Sequence, residues 1–190
     1  MFDIPRRLSS SSTLPLIRLR PAVPRDIPAL TRLIHQSMRE LGKAYYTSRQ
    51  IESVLKYGIH VEPQMVRDGT LYVIDVGGQL VASGGWSRRD TLVPGKKPVL
   101  LNPALHPAKA QTFYVHPAWT HRGLAKWLLE ESLAAAKAAG FQQIELLATK
   151  MGEPLYLKFG FREVESFTFT LPDGVVFPAK RMVKDLADVQ

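Results

Sequence analysis

Apolar positions along the chain switch between a period of two and a period near 3.6, and each switch marks a change from strand to helix or back. Leu16-Ile17-Arg18-Leu19-Arg20 alternates as a half-buried strand until Pro21 and Pro24 interrupt it. Ile27, Leu30, Ile34, Met38 and Leu41 then recur at helical spacing, with Asp26 as a cap and Pro28 in a tolerant first turn. A second helix is predicted to start at Thr47. Thr47 and Gln50 match a capping box there, and Tyr46 and Ile51 match a hydrophobic staple. Leu71 to Val76 and Leu80 to Trp86 are β-rich runs joined by Gly77-Gly78, a dipeptide suited to a tight hairpin.

Residues from Arg88 to Lys109 hold prolines at 94, 98, 103 and 107 and little periodicity, which predicts a long irregular connection. An apolar strand from Gln111 then breaks at His116-Pro117, and a helix rich in Ala opens at His121-Arg122-Gly123-Leu124-Ala125. Further on, Ile144 to Thr149 reads as a strand, Pro154 to Phe159 as a short helix, and Val164 to Thr170 as a strand. The turn Leu171-Pro172-Asp173-Gly174 leads into a last strand, Val175 to Val183. The expected architecture is an α/β domain, spanning 16–186, in which six or seven mostly antiparallel strands form a mixed sheet flanked by helices on both faces.

The chemistry begins at the second strand-to-helix break. A helix start leaves four backbone N–H groups without internal partners and carries the positive end of the helix dipole. A Gly-, His- and Arg-containing turn at that point suits a phosphate, and so a nucleotide cofactor. By itself Gly123-Leu124-Ala125 is an ordinary helix entry; the strand before it and Tyr156 after it give it weight.

The composition narrows the possibilities. Among 190 residues there is no Cys, which excludes disulfides, thiolate metal sites and an acyl-cysteine intermediate. Five scattered His offer no metal-site spacing. A net charge of +8 favours anionic partners, whether coenzyme phosphates, nucleic acid or an anionic membrane surface, but no basic-aromatic nucleic-acid recognition motif accompanies it. No apolar run approaches the roughly 20 residues of a membrane span, so a cytoplasmic location without membrane or nucleic-acid partners is expected. Residues 1–15 read as a flexible tail, although Arg6, Arg7 and Ser9 to Ser12 share the composition of a transit peptide. The oligomeric state is not fixed by any motif, and a homodimer is compatible with the pattern.

Three blocks carry a family resemblance that covers nearly everything from Ile17 to Lys184. They are Ile17-Arg18-Leu19-Arg20-Pro21-Ala22 with Asp26; Phe113-Tyr114-Val115-His116-Pro117 followed by Thr120 to Ala125; and Leu155-Tyr156-Leu157-Lys158-Phe159-Gly160-Phe161. In order and spacing they resemble the GNAT-superfamily N-acetyltransferases. The resemblance implies acetyl transfer from acetyl-CoA, as co-substrate, to a small-molecule or peptide amine. It also implies a sheet that splays near Val115, with pantetheine against the backbone of Phe113, Tyr114 and Val115. The pyrophosphate would lie on His121, Arg122, Gly123, Leu124 and Ala125, with Arg122 and Lys126 adding charge. Thr120 departs from the family's usual Gln or Arg.

The resemblance further makes Tyr156 the acid that protonates the departing thiolate, while the Val115 N–H polarises the thioester carbonyl. Thr149 stands where relatives often place an Asn against the coenzyme. The central strand lacks the glutamate that some relatives use as base, which leaves His106, His116, Glu153 or a bound water. Tyr45 and Tyr46 lie where relatives build an acceptor wall. Trp86 and Arg88, with Arg89, follow Gly84-Gly85, which suggests a bulge or a close ligand approach; the arginines are either anion contacts or a solvated strand end. The alternative to an enzyme is a noncatalytic acyl-CoA-binding regulatory module.

Overall fold

The computed structural model describes residues 16–90 and 99–187. The expected tail over 1–15 and Pro94 and Pro98 of the long connection lie outside the described residues. Seven strands form one sheet in the order β1-β2-β3-β4-β5-β7-β6. They are β1 (Ile17–Pro21), β2 (Leu71–Val76), β3 (Gln79–Ser87), β4 (Ala108–Val115), β5 (Gln143–Ala148), β6 (Arg162–Thr170) and β7 (Val176–Asp185). Every neighbouring pair is antiparallel except β4 with β5.

Alternation along β2 assigns the helices to the two faces. Tyr72, Ile74 and Val76 belong to the cluster that holds Leu128, Leu129 and Leu133 of α4 (Leu124–Ala138). Leu71 and Val73, pointing the other way, pack with Leu30, Leu33 and Ile34 of α1 (Ile27–Leu41). A third cluster joins Met38 and α2 (Ser48–Tyr57) to Phe177 of β7. α5 (Glu153–Lys158) returns the chain to the α4 face, where Tyr156 is buried.

Local signals explain most of the boundaries. Thr47 and Gln50 form the reciprocal capping box, and the staple residues Tyr46 and Ile51 are both buried in the third cluster. Gly77 and Gly78 have φ of 59° and 92°, the left-handed values a two-residue hairpin turn needs. Asp26 acts differently from a simple cap. Its carboxylate accepts from the Val23 N–H at 2.9 Å and pairs with Arg20 at 2.6 Å, tying β1 to the start of α1. The long connection predicted after Arg88 separates β3, which ends at Ser87, from β4, which begins at Ala108, and within it Arg89 bridges to Leu100. α3 (Pro63–Arg67) escapes the periodicity at five residues, although Pro63 at its first position and Glu62 capping the Gln64 N–H are both start signals.

Two features shape the sheet's centre. β4 and β5 pair only at Ala108 with Ile144 and at Lys109 with Glu145, after which they part. Beyond that point β4 carries a bulge: Thr112 has φ 68° and the register to β3 slips between Ser83 and Gly85. Gly84 and Gly85 serve this packing. A Cβ on Gly84 would stand 2.4 Å from Phe113 Cδ1, and one on Gly85 would stand 2.3 Å from the Thr70 carbonyl oxygen. The close approach at the paired glycines is therefore made by the protein's own ring and backbone.

Lys109 and Glu145, facing partners at the last paired step, form an ion pair whose side chains are each over 90% buried, and Arg181 approaches Glu145 at 3.5 Å. Removing one member of such a pair leaves the other charge desolvated and uncompensated. Glu145→Leu is expected to destabilise the fold by about 3 to 5 kcal/mol, and adding Lys109→Met should recover much of that loss, both read by urea denaturation.

Candidate active site

A cleft of about 170 Å³ lies along the parted strands. Ala110 to Tyr114 of β4 form one side, and Leu146, Leu147, Thr149 and Tyr156 the other. The roof comes from Val54 of α2, from Gly58, Ile59, His60 and Glu62 in the following loop, and from β6 and β7. The loop can turn in close because Gly58 has no side chain: a Cβ there would meet Val54 at 3.0 Å and Leu171 at 3.4 Å.

The orientation of Val115 follows from the ladder. Val115 faces Ala82, and the bond beside this pair runs from the His116 N–H to the Val81 carbonyl at 2.8 Å. In an antiparallel ladder this makes Ala82 and Val115 a non-hydrogen-bonded pair, so the N–H and C=O of Val115 point away from β3, into the gap. The parting from β5 leaves that side of β4 without a neighbouring strand.

The turn between β4 and α4 ends the same strand. His121 and Gly123 take φ of 59° and 76°, and Gly123 is the residue before the first helical turn. Where a Cβ on Gly123 would stand, nothing lies within 4 Å. The first internal bond of α4 runs from the Trp127 N–H to the Gly123 carbonyl, so the amides of Leu124, Ala125 and Lys126 precede the internal pairing of the helix. These residues fit a phosphate group held by backbone donors. Arg122 is turned onto its own loop, its guanidinium 4.6 Å from the Trp119 ring centroid. Lys126 pairs with Glu130 at 3.7 Å on the exposed helix face.

Tyr156 reaches the cleft from α5, its ring set edge-to-face against Phe113 at 6.2 Å and Phe161 at 5.7 Å. Burial pushes its hydroxyl, and that of Tyr114, above the ordinary phenol value, because the phenolate would lose its hydration. Both therefore stay protonated at neutral pH. Tyr46 supports the site from behind: stacked on Phe177 at 4.5 Å, its hydroxyl accepts from the Lys150 N–H at 2.8 Å, next to Thr149.

The structure thus brings Phe113, Tyr114, Thr149 and Tyr156 into one cleft and sets Val115 and the His121 to Lys126 turn along the same strand and its exit. Other residues singled out in the sequence lie elsewhere. Trp86 is 2% exposed, packed edge-on against Phe141 on the α4 face, and Arg88 lies over its ring. Arg89 pairs with Asp68 at 3.1 Å. Tyr45 faces away from the third cluster at 48% exposure. Among the suggested bases, His116 accepts the Ala118 N–H, His106 accepts the Asn102 N–H, and Glu153 pairs with Lys180 at 2.7 Å. None of these lines the cleft. The cleft's titratable groups besides the two tyrosines are His60 and Glu62, which carry no motif; Glu62-Pro63 as a helix start was the signal for their placement.

A sequence profile described as an acetyltransferase (GNAT) domain matches residues 67–163, which contain β4, the phosphate-sized turn, α4 and Tyr156. The chain belongs to the GNAT acetyltransferase family. It is accordingly an acetyltransferase by family, and the mixed sheet parted at β4 and β5 is the GNAT fold. A GCN5-related N-acetyltransferase from Rhodopseudomonas palustris is 18% identical, with a TM-score of 0.70 over 91% of this chain and 98% of that one. PaiA N-acetyltransferase from Thermoplasma acidophilum, solved with coenzyme A, is 16% identical, with a TM-score of 0.64 over 90% and 99%. A GNAT-family acetyltransferase from Brucella melitensis, solved with acetyl-CoA, is 20% identical, with a TM-score of 0.53 over 85% and 95%. No curated protein matches the chain. Among the described residues, no group of three His, Cys, Asp or Glu side chains is placed to hold a metal ion, and no helix is long and apolar enough to cross a membrane.

Gly152 gives this site a local test. A Cβ there would stand 2.7 Å from Tyr156 Cε2, while its φ of −87° is ordinary for any residue. Gly152→Ala is expected to move the Tyr156 ring off Phe113, seen as altered ring resonances of both residues by NMR, with a stability loss of about 1 to 3 kcal/mol.

Proposed function

We propose that the protein transfers an acetyl group from acetyl-CoA to a primary amine by direct attack, with both substrates bound at once. The observation that carries this reading is a cleft lined jointly by the parted strands and by the α2 side of the fold, which lets a thioester and an amine meet from opposite directions. The absence of cysteine supports it, since no acyl-thiol intermediate can form on the chain. Acetyl-CoA supplies the activated acyl group and a thiolate leaving group.

The chain's residues account for the remaining needs of the reaction. First-turn amides of α4 and the αL turn at Gly123 bind the pyrophosphate, with no side chain between phosphate and backbone. The Val115 N–H, aimed into the gap, stabilises the oxygen on which charge grows as the amine nitrogen attacks the carbonyl carbon. As the carbon–sulfur bond breaks, Tyr156 donates a hydrogen bond to the departing thiolate. Its raised pKa keeps the proton on the phenol, so the donor persists through neutral and alkaline solution. The proton given up by the amine leaves by way of the cleft's roof, where His60 and Glu62 stand.

Calorimetric titration with acetyl-CoA, followed by thiol release against a panel of amines, tests the reading as a whole. Binding with amine-dependent release is expected; binding without release from any amine would instead support a regulatory acyl-CoA module. Tyr156→Phe should lower kcat by roughly a hundredfold or more while leaving the Kd for coenzyme A within about twofold. Because burial raises the phenol above 10, loss of activity through Tyr156 ionisation should appear only above that pH in the kcat/KM profile. Gly123→Asp should weaken coenzyme A binding by about tenfold or more, since Asp tolerates a positive φ but sets a carboxylate against phosphate.

A further inference from the structure

The acceptor half of the cleft is apolar on most of its surface. Val54, Ile59, Phe169, Leu171 and Phe177 face it from α2, the loop after α2 and the β6 to β7 hairpin. An extended acceptor with several charges, such as a polyamine or an aminoglycoside, would have to desolvate cations against these walls. Among the described residues lining the cleft, Glu62 is the one carboxylate. One of its oxygens, Oε1, accepts from the Gln64 N–H at 3.0 Å, which fixes the side chain as the cap of α3. The other, Oε2, stands 3.9 Å from His60 Nε2. The carboxylate is thus held by its own helix, with one oxygen left to attract a cation.

From the apolar walls and the single carboxylate among the described lining residues, we infer that the acceptor is a primary monoamine carried on an apolar aromatic or branched aliphatic body. Glu62 draws in its ammonium group, and Ile59, Leu171 and Phe177 enclose the body. This rests on the acetyl-transfer reading of the cleft and adds to it the class of amine. Selectivity comes from the mismatch of the alternatives: a second cation finds no second carboxylate among the described lining residues, and its desolvation goes uncompensated.

The test uses the full chain with 2-phenylethylamine and isoamylamine as apolar monoamines, and spermidine and kanamycin as polycationic competitors. Amine binding is measured by calorimetry on the free protein and on the protein saturated with coenzyme A, and thiol release from acetyl-CoA is followed separately. The apolar monoamines should bind at least tenfold more tightly than spermidine or kanamycin and, where thiol is released, show the higher kcat/KM. Glu62→Gln, which keeps an oxygen to accept the Gln64 N–H, should weaken 2-phenylethylamine about tenfold while leaving the coenzyme A Kd unchanged. Ile59→Asp, which adds a second carboxylate, should shift preference toward spermidine; thermal melts of both variants report folding. Preference for spermidine or kanamycin by the unaltered protein, or equal binding of all four amines, would overturn the assignment. Failure of the acetyl-transfer reading would appear differently, as absent coenzyme A binding or absent thiol release, while the amine preference remains readable from binding to the free protein.

Discussion

The separation of β4 from β5 after Lys109 and Glu145 is the constraint on which the rest of the site depends. A parallel pair that continued would use the Val115 amide in its own ladder and leave no room between the strands. Two elements hold the parting in place. The buried ion pair closes the strands at one end, and the bulge at Thr112 bends β4 away at the other, with Ser83 Oγ donating to the Thr112 carbonyl at 2.9 Å. The left-handed φ of Thr112, costly for a β-branched residue, is accommodated opposite Gly84, whose missing side chain makes room for the Phe113 ring.

From that opening the remaining parts follow in spatial order. β4 ends by delivering the chain into the Gly123 turn, so the first-turn amides of α4 lie just beyond the strand whose amide faces the gap. β5 ends at Thr149, and the short α5 beyond it carries Tyr156 into the cleft between Phe113 and Phe161. On the other face, α2 and the Gly58 loop form a wall that owes its apolar character to the cluster of Tyr46, Ile51, Leu171 and Phe177. Tyr46 links the two halves through the Lys150 N–H. In the proposed reading, coenzyme recognition draws on backbone groups and acceptor recognition on side chains.

The legible part of the chain was the part in which a local rule applies. The capping box at Thr47, the Gly77-Gly78 hairpin and the 3.6-residue period of Ile27 to Leu41 each depend on contacts within a few residues, and each element stands where the pattern places it. The order of strand, turn and helix from Phe113 to Ala125 was also legible, because the three are consecutive in the chain. Trp86 and Arg88 stand outside the cleft, because Trp86 packs into the cluster on the α4 face of β3 and Arg88 lies over its ring. His60 and Glu62 gave little sign, since nothing in their spacing distinguishes a loop that covers a cleft from one that faces water.

By itself the amino-acid sequence determined most of the elements, their approximate ends, the absence of thiol chemistry and the position of the turn at Gly123, all of which depend on propensities and neighbours in the chain. Only the tertiary structure decided where the strands part, which way the Val115 amide points, and which side chains roof the cleft. These last properties depend on register between strands far apart in the chain and on a loop brought over β4 by the packing of α2, and no local pattern encodes such distances.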